Sequence, residues 1–299
     1  MLEADLLVDR RRLKRRLNFW RVATILALVL AVGAVVGPRR WAGAPRQHIA
    51  RISISGIITE DRKLTDAIGR LVRDQSVPAV IVAVDSPGGS VAGGESLHAA
   101  LMRLASAKPV VTVMRGTAAS AGYMVSLPAE RIFAREATLT GSIGVILETV
   151  QFSGLLGKLG VDAEAITSGP LKDQPSYTRP LTEPGRQYLN GLVQDMYDQF
   201  VAMVATSRHM DPDAVRKLAD GRAYTGRQAK SLGLIDEIGG EIEARAWLAE
   251  KHGIPEGLPV RDLELSSFLQ RTFGSAVTHL GAGLLGGESA GAWALWTGH

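Results

Sequence analysis

The chain contains no cysteine in 299 residues. That absence excludes disulfide staples, thiolate metal sites and a cysteine nucleophile, and it leaves the redox compartment open. The body of the chain also lacks an excess of either charge. Residues 1–21 hold seven Arg/Lys against three Asp/Glu and so account for the whole net charge of +4, which leaves 27 basic and 27 acidic side chains for the other 278 positions. A basic groove is therefore not expected, and no nucleic-acid partner is implied. No internal repeat is visible, and 33 Gly and 13 Pro are near average usage, which excludes collagen-like and low-complexity chains. What remains is a chain that is 46% apolar, long enough to bury one large domain or two ordinary ones.

The basic run from Arg10 to Arg21 abuts an uncharged apolar stretch from Val22 to Gly37, with Trp20 and Trp41 flanking it. Sixteen apolar residues fall short of the roughly 20 that a spanning helix needs, but Phe19, Trp20 and the chain up to Pro38 extend them. A signal peptide is the competing reading; the long basic lead and the lack of an Ala-x-Ala site favour an uncleaved anchor. The positive-inside tendency places residues 1–21 in the cytoplasm, although Arg39, Arg40 and Arg46 weaken the asymmetry. The expected order is a basic segment (1–21), a transmembrane anchor (22–37), a linker (38–48), a folded domain (49–261) and a Gly/Ala-rich tail (262–299).

Within the folded domain, Arg51 to Ile58 alternates as a strand does, and Leu64, Ile68, Leu71 and Val72 recur at helical spacing. Val77 to Val84 is a continuous apolar run of the kind a buried parallel strand gives. A helix is expected from about Ala92 to Ala105, then a strand from Val110 to Met114, a helix opening near Ser120, and short strands at Arg131–Ala134 and Ala163–Thr167. Thr182 caps a long helix to His209, Asp211-Pro212 opens another, and Glu241–His252 closes ahead of Gly253. The class is α/β, built on repeated β-α-β units, with a helical C-terminal part.

Ser120 lies in Gly116-Thr117-Ala118-Ala119-Ser120-Ala121-Gly122-Tyr123, where small neighbours admit a substrate and a following N–H can face a developing oxyanion. An ordinary helix cap competes for this serine. Asp85-Ser86-Pro87-Gly88-Gly89 ends another buried strand, and with it the N–H groups of Gly89 and Ala121 make a plausible oxyanion hole. None of the six histidines suits a base: His48 is in the linker, His279 and His299 are in the tail, His209 and His252 close helices, and His98 sits inside one. Lys172, in Ser168-Gly169-Pro170-Leu171-Lys172-Asp173, is the remaining candidate. A lysine serves as a base near neutral pH only when desolvation or a nearby positive charge lowers its pKa from about 10.4.

These segments, together with Thr138-Leu139-Thr140-Gly141-Ser142-Ile143-Gly144-Val145 and Asp220-Gly221-Arg222-Ala223-Tyr224-Thr225-Gly226-Arg227, closely resemble the bacterial signal peptide peptidase A family over roughly residues 50–250. The resemblance implies a ClpP/crotonase-type fold and a Ser/Lys dyad with Ser120 as nucleophile and Lys172 as general base. It implies that Ser142 orients the lysine amine, and that serine and lysine come from neighbouring protomers of a homo-oligomeric ring, an octamer by resemblance. It further implies peptide substrates, chiefly hydrophobic signal-peptide fragments, at a bacterial inner membrane with the catalytic domain on the outer or periplasmic side. No metal and no cofactor is called for. Ala121 stands where the family often has Gly, a harmless change for a backbone donor.

Three rivals stay open. A ClpP-type protease needs a histidine soon after the nucleophile, and none occurs from Ser120 to Arg208. A crotonase-like acyl-CoA hydratase or isomerase needs a carboxylate base, for which Glu136 and Glu148 are the tempting positions. The third is a membrane scaffold or a protease dedicated to one membrane partner.

Overall fold

A computed structural model describes residues 16–28 and 47–264. They fall into two units divided after Gln47. In the first, residues 16–28 form a helix, α1, with Phe19, Trp20, Val22, Ile25, Leu26 and Leu28 exposed. α1 carries the opening of the apolar stretch read as an anchor; residues 29–37 of that stretch lie outside the described residues, as do most of the basic segment, the linker and the tail. Among the described residues, no helix is long and apolar enough to cross a membrane.

The second unit is organised by runs of β-branched residues. Strands β1 (Ile49–Ile58), β2 (Val80–Gly89) and β3 (Val110–Ala119) pair in parallel. Their residues alternate between two cores: Val80, Val82 and Val84 face one side of the sheet, Ala79 and Ile81 the other. Helices α2 (Arg62–Leu71), α3 (Val91–Ala105) and the short α4 (Ala121–Met124) follow the three strands in turn. This is the repeated β-α-β core expected from the sequence. β3 then serves two partners. Its first half, Val111–Met114, pairs with β4 (Arg131–Ala134), and its second half, Thr117–Ala119, pairs with β5 (Leu139–Gly141). β5 pairs antiparallel with β6 (Ala223–Thr225), whereas β4 pairs in parallel with β7 (Glu237–Ile238) and β1 in parallel with β8 (Val260–Asp262).

The remaining helices are α5 (Ser153–Lys158), α6 (Glu183–Arg208), α7 (Pro212–Leu218), α8 (Gly226–Ser231) and α9 (Glu241–His252). Thr182 and Asp211 cap α6 and α7 through their side chains, and Gly253 ends α9 in the left-handed region, all as the sequence predicts. α9 covers the second core with Ala244 and Leu248. One expectation fails: Ala163–Thr167 forms no strand. A strand needs a neighbour to take up its backbone hydrogen bonds, and this segment is exposed, with Ile166 98% exposed. The short strands β5 to β8 and helices α5 and α8 carry too little periodicity to be read from sequence.

His98 packs on the inner side of α3 with its Nε2 buried and unpartnered, and burial holds its pKa below the usual 6.5. Above about pH 6.5 both native and unfolded states hold it neutral. Below that, the unfolded chain binds a proton that the native state resists, so stability is lost as pH falls, by at most about 1.4 kcal/mol per pH unit. A His98→Gln variant should therefore lose less stability between pH 7 and 5.5 than the parent in denaturant titrations. Equal losses would remove His98 as the cause.

Candidate active site

Ser120 is the single residue between β3 and α4. Its backbone has φ 53° and ψ −121°, a region that a residue bearing a Cβ occupies at a cost on the order of 1–3 kcal/mol. Neighbours hold it there. Its N–H donates to the Gly141 carbonyl at 2.9 Å, and its own carbonyl accepts from the N–H groups of Tyr123 and Met124 at 2.9 Å each. The hydroxyl makes no capping bond to α4, so the helix-cap role that competes for this serine is not the one it has. A strained serine at a strand-to-helix turn with its hydroxyl uncommitted has the form of a nucleophile elbow.

Glycines clear the space beside it. Gly88 has φ 127°, and a Cβ there would stand 2.9 Å from the Ser120 Cβ and 3.2 Å from its Oγ, so only glycine lets this loop lie against the hydroxyl. A Cβ on Gly122 would come within 2.7 Å of the Ser86 carbonyl oxygen, which seats α4 directly on the Asp85–Gly89 segment. Gly89 is exposed at the end of β2. The N–H of Ala121, first in α4, has no intrahelical partner by position.

Ser142 arrives from the end of β5, also at positive φ, 48°. Its N–H donates to the Arg222 carbonyl at 3.0 Å and its hydroxyl to the Gly221 carbonyl at 3.2 Å. Ser120 and Ser142 line one open cavity of about 600 Å³, walled further by Val145, Ile146, Tyr197 and Asp220. The side chain and N–H of Arg222 hold the Asp220 carboxyl below the usual range. Tyr224, buried in β6, anchors this wall by donating to the Leu218 carbonyl at 2.9 Å. Tyr197 on α6 and Asp220 after α7 were not legible as site residues, because only the packing of these elements on the sheet end brings them to Ser120.

Lys172 stands elsewhere. It is exposed, in a turn where its N–H donates to the Gly169 carbonyl at 3.1 Å, and it does not line the Ser120 cavity of its own chain. Among the described residues, no histidine lines that cavity. Glu136 pairs with Arg227 at 2.5 Å, and neither it nor Glu148 lines the cavity, so the crotonase reading lacks its base there.

The family model described as peptidase family S49 matches residues 102–255, just over half of the chain. A candidate protease of Synechocystis sp. is 39% identical over 210 residues, 70% of this chain and 76% of that protein. A candidate signal peptide peptidase SppA of Enterococcus faecium is 36% identical over 211 residues, 66% of this chain and 61% of that protein. Among solved structures, a ClpP1 variant from Listeria monocytogenes aligns over 64% of this chain and 92% of its own, at 18% identity and a TM-score of 0.44. The matched range, residues 102–255, spans Ser120, Ser142 and Lys172. The chain belongs to peptidase family S49, a family of serine peptidases.

Proposed function

We propose that the chain is a membrane-anchored endopeptidase in which Ser120 is the nucleophile and Lys172 the general base. The observation that carries this reading is the Ser120 turn, strained and uncapped, with its hydroxyl at a cavity wall. In the proposed reaction the neutral lysine amine takes the Ser120 proton as Oγ bonds to the scissile carbonyl carbon. The carbonyl electron pair moves onto oxygen, facing the N–H groups of Gly89 and Ala121. Collapse re-forms the carbonyl, breaks the C–N bond and passes the proton from the lysine ammonium to the departing amine. Water then repeats the sequence on the acyl-enzyme. Ser142 orients the amine.

Because Lys172 lies outside the cavity of its own chain, the reading includes a lysine supplied across a subunit contact of a homo-oligomeric ring. Ile146, Phe152, Leu159 and Ile166, all exposed, offer the apolar surface such a contact would cover. Residues 22–37 are the proposed anchor in a bacterial inner membrane, with residues 1–21 on the cytoplasmic side and the 49–261 protease domain outside. That placement brings the site to hydrophobic signal-peptide fragments, the substrates assigned here.

A serine-reactive phosphonate should label the wild type on Ser120 and leave Ser120→Ala unlabelled; label on another serine overturns the nucleophile. The rate law gives a second test. A lysine base must be neutral to accept the serine proton, so kcat/KM should climb with pH and stay high on the alkaline side. A histidine base would give a limb near about 6.5. A profile flat from neutral to mildly alkaline pH excludes the lysine.

A further inference from the structure

Ser86 is wholly buried in β2 and does not line the Ser120 cavity. Its hydroxyl nevertheless bridges two loops. It donates to the Gly56 carbonyl of β1 at 2.6 Å and accepts the N–H of Gly88 at 3.1 Å, with the Gly88 carbonyl 3.2 Å away as the longer of its two possible acceptors. Both neighbouring ladders slip at this level: β1/β2 between Ser55 and Ile57, β2/β3 between Val84 and Ser86. A slipped register strips backbone groups of their ladder partners, and the Ser86 hydroxyl supplies one to Gly56 and one to Gly88. On its other side the Ser86 carbonyl lies against Gly122, as the close approach described above shows. Ser86 therefore touches the Gly88-Gly89 loop through its hydroxyl and the Ala121-Gly122 turn through its backbone.

We infer that Ser86 is the positioning residue that fixes the distance between the Gly89 and Ala121 N–H groups, and that its hydroxyl serves turnover rather than substrate binding. The inference rests on the proposed acyl-enzyme reading of Ser120. Without the hydroxyl, the buried Gly88 N–H loses its acceptor and the Gly88 carbonyl its 3.2 Å neighbour, so the Pro87-Gly88 peptide is free to turn in search of another partner and carries the adjoining Gly88-Gly89 peptide, with the Gly89 N–H, out of place. The oxygen that these donors serve carries full charge only in the tetrahedral state, so misplacing a donor lowers kcat and leaves KM nearly unchanged.

The test uses the full-length protein and compares wild type, Ser86→Ala, Ser86→Cys and Asp61→Ala. Asp61 caps α2 by accepting from the Leu64 N–H at 3.0 Å; its loss should lower the melting temperature with kcat unchanged, and so calibrates simple destabilisation. Ser86→Ala should lower kcat on a short soluble peptide and the phosphonate labelling rate in parallel. The expected fall is roughly 10- to 100-fold, below the roughly 10²- to 10³-fold loss that follows removal of an oxyanion donor itself. Ser86→Cys, of similar size with a weak donor, should fall between the two. A wild-type kcat in Ser86→Ala, a rise in KM alone, or a variant that does not fold each overturns the inference while leaving the Ser120 reading intact. A wild type that neither hydrolyses peptide nor takes the label overturns both.

Discussion

Ser120→Ala and Lys172→Ala should each lower peptide hydrolysis by at least about 10⁴-fold while leaving the melting temperature near that of the wild type. Members of one catalytic unit are non-additive, so the double variant should be no worse than either single one. Ser120 is half-buried and makes no side-chain cap, and Lys172 is exposed, so neither side chain is required by the core. Alanine at 120 must still adopt φ 53°, a strain the native serine already bears. Ser142→Ala should be milder, because it removes an orienting hydroxyl rather than a reacting group. Rates are to be compared on the same short peptide with matched oligomer size. Substantial hydrolysis by Lys172→Ala would sink the dyad.

Mixing Ser120→Ala with Lys172→Ala protomers should restore part of the activity that each has lost alone. If serine and lysine of one site come from different chains, about one quarter of randomly formed interfaces pair an intact serine with an intact lysine. The recovered rate should approach that share of the wild type and should appear only as subunits exchange, a process that native mass measurement follows independently. The physical basis is the placement of Lys172 in an exposed turn away from the cavity that Ser120 lines. Exchange confirmed by mass with no recovered activity would put both residues of a site on one chain.

Much of the fold was legible because its elements announce themselves locally. The run Val80–Val84 is apolar at every position, which only a strand covered on both faces requires, and Thr182 before Glu183-Pro184 reads as a helix start in any context. The site's glycines were legible for a related reason: Gly88-Gly89 and Gly122 are small where two backbones meet. Ala163–Thr167 misled because a short local segment states no partner to pair with. β5 and β6, three residues each, exist only because β3 and one another offer ladder bonds, and no three-residue pattern foretells that.

The sequence by itself determined the β-α-β order of the first three strands and the longer helices, the neutral body with its basic lead, and the identity of the small-residue segments that flank Ser120, since each depends on side-chain size, charge and periodicity over a few positions. Tertiary structure alone decided what those segments do together. The conformation of Ser120 is held by Gly141, and Ser142 by Gly221 and Arg222 some 80 residues on. Such bonds follow from strand register, which couples residues across the sheet rather than along the chain. The same reason places Lys172 outside its own cavity: the turn that bears it has no strand of this chain to carry it there.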